Sequence, residues 1–353
     1  MGARSAGSTG LVCIALATFG APAAAATGAN PAASAAAAAE AAQGAAERSA
    51  AQGADRPAVV RVGALINDIQ QLDLQSHSYN VDMYLWFKWR DPEIDPSRSF
   101  EFLNAFELWG HILTYATSKP ERLPNGDYYQ VLRNQGKFNT KLPLERYPFD
   151  TQHLTVTIED SDSDSNDLVF VPDRDPIAMS PDLTLPGWDI GDPTLTVVDN
   201  RYPTDFGNPS AEDAAYSRIV IDLPVTRPAF TYAMKLLLPM LLVALTAALS
   251  LSVHPRYVEG RIGIGITALL TLVALQLTDN SSLPDVNYLI LLDKLYIASY
   301  AFVVLTLAII VRNSWVDAEG DVAAAVRADR RGLIFLTVSY FVVVGLTLLL
   351  TLT

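Results

Sequence analysis

The sequence predicts an all-β extracellular sandwich followed by an α-helical domain that crosses a membrane four times. Three observations predict it: short alternating segments, rich in aromatics, between residues 58 and 228; four long apolar runs after Pro228; and a net charge of −13 carried wholly by the first of these regions. The chain has 353 residues and is 50% hydrophobic, too apolar for a soluble protein of its length and too charged for one made only of membrane spans. Residues 1–54 and 229–353 each balance acidic against basic side chains, so the acidic excess belongs to the stretch between them. That excess disfavours a nucleic-acid partner, whose phosphates need the opposite sign. It also concentrates cations near the surface that bears it.

The chain opens with Arg4, an apolar run from Leu11 to Phe19 and small residues ending Ala24-Ala25-Ala26. This order of a basic start, an apolar core and an Ala-x-Ala site reads as a secretory signal peptide over 1–26. The single cysteine, Cys13, lies inside it, so the mature chain is expected to hold neither a disulfide nor thiol chemistry. Residues 27–57 are mostly Ala with Gly, Ser and Gln, a composition that reads as a linker without a core.

The sandwich is expected over 58–228. Val60, Val62, Ala64 and Ile66 share one face of a strand, with Arg61 and Asn67 on the other. Val81–Trp89, Leu154–Ile158, Leu195–Val198 and Tyr216–Ile221 read the same way, and Pro and Gly-Asp punctuation divides them. Many short strands with turns between them predict an antiparallel sandwich.

The membrane domain is expected over 229–353. Phe230–Val253, Ile262–Thr278, Tyr288–Val311 and Leu333–Leu352 each reach the roughly 17–20 residues that a helix needs to cross the hydrocarbon core. Arg256 and Arg261 fall between the first two spans, and Arg312, Arg327, Arg330 and Arg331 between the last two, whereas loop 279–287 holds only acidic charges. The positive-inside rule then puts the sandwich outside, in a periplasmic space if the membrane is a bacterial inner membrane, in agreement with the signal peptide.

The second span carries the most specific pattern. Glu259, Gly263, Thr267, Leu270, Ala274, Leu277 and Ser281 recur at intervals of three and four, which is one stripe of a helix. The stripe is acidic and small at its inner end, apolar in the middle and hydroxylated at its outer end. Several copies around an axis would enclose water behind a hydrophobic constriction. A helix packed on its neighbours through small residues has the same spacing.

Further motifs surround it. Tyr147-Pro148-Phe149-Asp150-Thr151-Gln152 follows Leu142-Pro143-Leu144 and by itself is a proline-pinned turn. Arg227 stands at the junction of sandwich and membrane, where it needs either a carboxylate, Asp150 or Asp73, or the freedom to snorkel to the interface. Asp160, Asp162, Asp164 and Asp167 form an acidic run that reads either as a solvated loop or as oxygen ligands for Ca²⁺.

Together these residues resemble a bacterial pentameric ligand-gated ion channel of the Cys-loop receptor superfamily. Tyr147–Gln152 is similar to the family's Phe-Pro-Phe-Asp signature, and Trp89-Arg90-Asp91-Pro92 to its Trp-x-Asp-Pro strand. Tyr216–Arg227 with Lys235 and Pro239 resembles the last outer strand and first membrane helix, and Leu283-Pro284 the loop after the pore helix. Thr140 and Leu154 stand where the family's paired cysteines fall. The resemblance covers about residues 58–353.

The resemblance implies that the stripe Glu259 to Ser281 lines a pore, with Leu270 as its central gate. Glu259 lies one place before the usual acidic ring, where this chain has Gly260. Gly263 and Gly265 are expected to soften the inner end of the helix. An agonist pocket between subunits is implied, with Tyr84, Tyr202 and Phe206 as aromatics that hold an ammonium by cation–π attraction, and Glu159 and Asp160 where many members place a tryptophan. Tyr84 has the alternative of packing in the sandwich. Asp73, Pro148, Asp150, Arg227 and Pro284 would carry the signal from sandwich to pore.

The expectation is therefore a homopentameric ligand-gated channel in a lipid bilayer, selective for permeant cations and opened by a small-molecule or ionic agonist: an amine, a proton or a divalent cation. No cofactor and no structural metal is expected. A membrane-anchored sensor that binds ligand without conducting is the alternative. An enzyme finds no support, because His77, His111, His153 and His254 lack metal spacing and no nucleophile-elbow or phosphate-loop motif occurs.

Overall fold

The computed structural model describes residues 56–204, 207, 215–319 and 321–352. The expected signal peptide, nearly all of the linker, and Phe206 lie outside the described residues. The described chain is a two-sheet β-sandwich followed by four apolar helices.

The first sheet runs β4–β6–β2–β1–β8, with β5 beside β6. Its strands are β1 (Ala58–Asp73), β2 (Ser78–Trp89), β4 (Ile112–Tyr115), β5 (Glu121–Arg122), β6 (Tyr128–Asn139) and β8 (Leu168–Met179). The second runs β10–β11–β7–β3, with β9 on β11; it comprises β3 (Phe100–Phe102), β7 (Thr151–Asp160), β9 (Asp189–Ile190), β10 (Thr194–Arg201) and β11 (Ala215–Thr226).

Alternation sets the faces. Val60, Val62, Ala64 and Ile66 are buried as their spacing predicts; a register shift between Ile66 and Asp68 then turns Ile69 inward in place of residue 68. Leu154, Val156 and Ile158 of β7 and Ile219, Ile221 and Leu223 of β11 meet them across the core. A chain of aromatic contacts runs through this core. Phe102 sits edge-on to Phe100 at 5.3 Å and to Phe138 at 5.2 Å, pairs worth about 0.5–1.5 kcal/mol beyond the area they bury.

The long strands β6 and β8 are not legible in the pattern. The inward positions of β6 include buried Gln130 and Asn134, which hide its apolar period; Gln130 donates to the Thr117 carbonyl at 2.9 Å, and Asn134 pairs with His111 at 3.2 Å. Strand β8 holds Pro172 and Pro176, which a central strand would reject, but it lies at the sheet edge. It pairs with β1 in parallel, so the sandwich is not purely antiparallel as the sequence suggests.

The helices are α1 (Ala229–Ser252), α2 (Val258–Asn280), α3 (Leu291–Ala318) and α4 (Val322–Leu352). They outrun the apolar segments because charged residues continue the helix beyond the uncharged stretch; α4, for example, begins at Val322 rather than Leu333. Within α1 the turn Ala233–Leu237 is a π-helix, where Pro239 has no N–H to return to the preceding turn. Helix α2 is continuous across both inner glycines. Gly265 proves to be a packing position rather than a softening one: a Cβ there would fall 2.3 Å from Leu307 of α3, whereas one on Gly263 would meet nothing within 4 Å.

Candidate functional site

Three places carry chemistry: the stripe on α2, the sandwich–membrane junction, and a polar cluster on the outer face of the second sheet.

On α2, Arg261, Gly265, Ala268 and Leu272 face the chain's own bundle and are buried. All seven stripe residues, Glu259, Gly263, Thr267, Leu270, Ala274, Leu277 and Ser281, are exposed on the other side. Leu270 is 65% and Leu277 68% exposed, a large uncovered apolar surface for a single chain. The Thr267 hydroxyl donates to the Gly263 carbonyl at 2.8 Å, and Ser281 donates to Thr278 at 2.7 Å. Their hydrogens are thus spent on the helix backbone, and their oxygen lone pairs remain outward. The outer end of α2 is tied to α3: Tyr296 donates to Asp279 at 2.5 Å, and Tyr300 to Gln276 at 2.6 Å.

At the junction, Arg227 is paired, not snorkelling. Its Nε lies 2.7 Å from Asp150 Oδ1, and both side chains are 4% exposed. Gln152 donates to the other Asp150 oxygen and, at 2.7 Å, to the Pro143 carbonyl. The guanidinium faces three rings, Trp188 at 4.1 Å, Tyr147 at 4.8 Å and Tyr232 at 5.0 Å, an aromatic enclosure that favours a cation. Of the two carboxylates offered by the sequence, Asp150 is the partner. Asp73 instead stays exposed at the end of β1, where Ser76 of the following turn donates to it at 2.6 Å and Gln75 at 2.9 Å; that first bond holds its carboxyl below the ordinary value.

The loop bearing Pro148 enters the helical core. Leu144 and Tyr147 are buried in one apolar cluster with Leu283, Ile290, Leu291 and Leu295. The Leu144 N–H donates to the Tyr288 hydroxyl at 3.1 Å, and the Leu291 N–H to the Glu145 carbonyl at 3.0 Å. Pro284, half-buried, lines a cleft with Leu144 and Tyr288. Of the two positions matched to the family's cysteines, Thr140 accepts from the Thr155 hydroxyl at 3.3 Å and donates its N–H to the His77 carbonyl at 3.1 Å, whereas Leu154 is buried in the sandwich core. Sequence reasoning missed Leu144, Trp188, Tyr232 and Tyr288, since an isolated aromatic or leucine carries no positional signal.

The expected pocket residues divide. On β7 successive side chains point to opposite faces. Asp160 turns inward and accepts from Ser99. Glu159 turns outward, yet is only 2% exposed because Tyr202 and Arg218 cover it. Tyr202 donates to Glu159 Oε2 at 2.8 Å, Arg218 Nε to Oε1 at 2.6 Å, and Tyr216 stands edge-on to Tyr202 at 5.7 Å. Burial first, then the Glu159 carboxylate, push the Tyr202 hydroxyl above its ordinary value, which keeps it a donor. Arg218 is not among the expected pocket residues; the sequence names it only as part of its strand. Tyr84 is not with them: it lies on the outer face of the first sheet beneath the Arg133 guanidinium, 5.5 Å away, and Arg133 pairs with Asp82 at 2.5 Å. In the acidic run, Asp164 accepts from Asn166 N–H at 2.7 Å and Asp160 from Asp162 N–H at 3.1 Å. Among the described residues no three His, Cys, Asp or Glu side chains converge in metal-binding geometry.

Comparison with known proteins agrees with this architecture. No protein-family profile matches the chain. It is 23% identical over 293 residues, 78% of each chain, to the proton-gated ion channel of Gloeobacter violaceus. It is 23% identical over 254 residues to the glutamate-gated chloride channel of Drosophila melanogaster and 24% identical over 271 residues to the glycine receptor subunit beta of Homo sapiens. These matches take in 66% and 70% of this chain but only 54% and 52% of the two animal proteins. A β-sandwich ahead of four apolar helices, a buried Arg227–Asp150 pair where they meet, and these relatives make the chain a relative of the pentameric ligand-gated ion channels of the Cys-loop receptor superfamily.

Proposed function

We propose that the protein is a ligand-gated ion channel subunit that assembles as a homopentamer in the inner membrane, its sandwich in the periplasm, and conducts cations. The observation that carries the reading is the α2 stripe. All seven residues face away from the chain's own helices, polar at both ends and apolar between. Copies arranged around an axis would line an enclosed water path with that stripe, with Leu270 as a constriction that closes by dewetting. Two features support cations over anions. Glu259 sits exposed at the inner end, and Thr267 and Ser281 turn lone pairs outward because their hydrogens are bonded within the helix.

Ligand would act at the Glu159–Tyr202–Arg218 cluster, on an agonist of the classes expected above. Glu159 is already engaged by Arg218 and Tyr202, so an amine or divalent cation must displace Arg218 to reach its carboxylate. The half carrying Tyr84 lies on the opposite sheet, so a complete pocket needs a neighbouring copy. Movement would pass through the Arg227–Asp150 junction and the Leu144–Tyr288 contact to Pro284 and α2.

Currents from the full chain in oocytes or planar bilayers, stepped through pH, amines and divalent cations, test the reading. Cation current evoked by one of these classes is the expected result. No current from protein shown to be at the surface overturns it and leaves the non-conducting sensor.

A further inference from the structure

The first turns of α2 hold two opposite charges, and the fold treats them differently. Glu259 is exposed at the foot of the stripe, whereas Arg261, two residues on, is fully buried on the bundle side. Residues of all four helices meet around the pair it forms with Asp329. Its Nε donates to the Ser250 carbonyl at the end of α1 at 3.1 Å, and a terminal nitrogen lies 2.8 Å from Asp329 Oδ1 on α4. Asn313 of α3 donates to that same oxygen at 2.7 Å. Asp329 is itself 2% exposed.

Stability does not explain this arrangement. Desolvating two charges offsets much of their attraction, and packed apolar side chains hold helix ends as well or better. The pair is also imperfect, since Asp329 Oδ2 and both terminal nitrogens of Arg261 are buried without a hydrogen-bond partner, so the 2.8 Å approach is an ion-pair contact rather than an aligned hydrogen bond. What the pair does accomplish is cancellation. An unpaired cation in a low-dielectric wall projects its field a long way, because little water or salt screens it. Paired with Asp329, it leaves only a short-range dipole. The other cations at this end are exposed to solvent: Arg256 lies over the neighbouring Tyr257 ring at 4.6 Å, and Arg330 rims a cleft with His254.

We propose that Asp329, on the helix farthest from the stripe in sequence, determines charge selectivity by neutralising Arg261, which leaves Glu259 to set the sign of the inner mouth. The inference rests on the channel reading above. Asp329 touches no permeating ion; it acts through Arg261.

The test is the reversal potential of whole-chain currents in a salt gradient. Asp329→Asn frees the Arg261 charge and lowers the cation-to-anion permeability ratio by about ten-fold, the low end of what a focused charge does to local ion concentration. Asp329→Glu retains the wild-type ratio. Asn313→Asp combined with Asp329→Asn moves the carboxylate to the adjacent helix and restores it. If Asp329→Asn alone does not reach the surface, co-expression with excess wild-type chain yields mixed assemblies, in which a partial shift is expected. An unchanged ratio in Asp329→Asn or in mixed assemblies overturns the proposal. A wild-type chain that conducts cations, loses that preference in Glu259→Gln and keeps it in Asp329→Asn refutes the Asp329 role alone. A wild-type chain that passes no current, or passes anions, refutes the underlying reading.

Discussion

Arg227 Nε and Asp150 Oδ1 lie 2.7 Å apart at the point where the sandwich ends and the helices begin, each side chain 4% exposed. Arg227 directly follows the last strand, before Pro228 and α1, and Asp150 closes the loop whose Leu144 and Tyr147 sit in the helical core. One ion pair thus joins the chain's two points of entry into the membrane domain.

Removing one member of this pair strands a buried charge, at a cost of about 3–5 kcal/mol. Asp150→Ala should therefore lower the melting temperature of detergent-purified protein and abolish agonist response, even where some protein reaches the surface. Arg227→Lys keeps the charge but loses the planar stack on Trp188, and should fall between. Normal gating in Asp150→Ala would remove the junction from the coupling path.

Leu270 is 65% exposed on the stripe, and its proposed role is to exclude water from a closed pore. Leu270→Ser makes that ring wettable, so single-channel recording should show higher open probability or a response at lower agonist concentration. A conducting Leu270→Ser protein with wild-type gating would mean that the constriction lies elsewhere.

Tyr202 contributes one hydrogen bond to Glu159 at 2.8 Å. Tyr202→Phe keeps the ring and deletes this bond together with the one its hydroxyl accepts from Arg218 at 3.2 Å, a loss of about 1 kcal/mol or more that corresponds to at least roughly five-fold in agonist concentration. Arg218→Gln leaves Glu159 covered but unneutralised and should move the agonist response further. Concentration–response curves for both variants, read against Tyr84→Phe, show whether the two sheets contribute to one pocket.

The Arg133 hydrogen bond holds the Asp82 carboxyl below its ordinary value of 3.8. A carboxyl depressed in the folded state stabilises that state above the unfolded pKa, and the contribution disappears as pH falls through the folded value. Asp173, held low by Lys88 and Trp86 hydrogen bonds against its burial, acts in the same direction. Thermal unfolding of the protein should thus lose stability between about pH 5 and pH 2, and Asp82→Asn should flatten that dependence. An unaltered acid profile in Asp82→Asn would assign the loss to other carboxyls.

Gly265 and Gly263 offer a paired control on the inner half of α2. Gly265→Ala places a Cβ 2.3 Å from Leu307, and relieving such a clash costs about 1–3 kcal/mol. Gly263→Ala meets nothing within 4 Å and, by helix propensity, is neutral or mildly stabilising in folding, about 1 kcal/mol at most. Melting temperatures of the two variants should separate, and equal values would contradict the packing role of Gly265.

Periodicity along the chain was enough for the architecture. Apolar alternation placed β1, β2, β7, β10 and β11; uncharged length placed the four helices; and spacings of three and four drew the α2 stripe from Glu259 to Ser281, because each signal is local and repeats. It was silent wherever an inward position is polar or an edge tolerates proline, as in β6 with Gln130 and Asn134 and in β8 with Pro172. Partners were beyond its reach. It offered Arg227 a choice between Asp150 and Asp73, grouped Glu159 with Asp160 although adjacent strand residues face opposite ways, and gave neither Arg218 nor Arg261 a partner. Asp329 follows Arg261 by 68 positions, and only the packing of α4 against the ends of α1, α2 and α3 brings the two charges to 2.8 Å. A side chain's type and spacing set which face it takes. Which opposite charge it meets depends on how distant elements dock, and no local pattern encodes that.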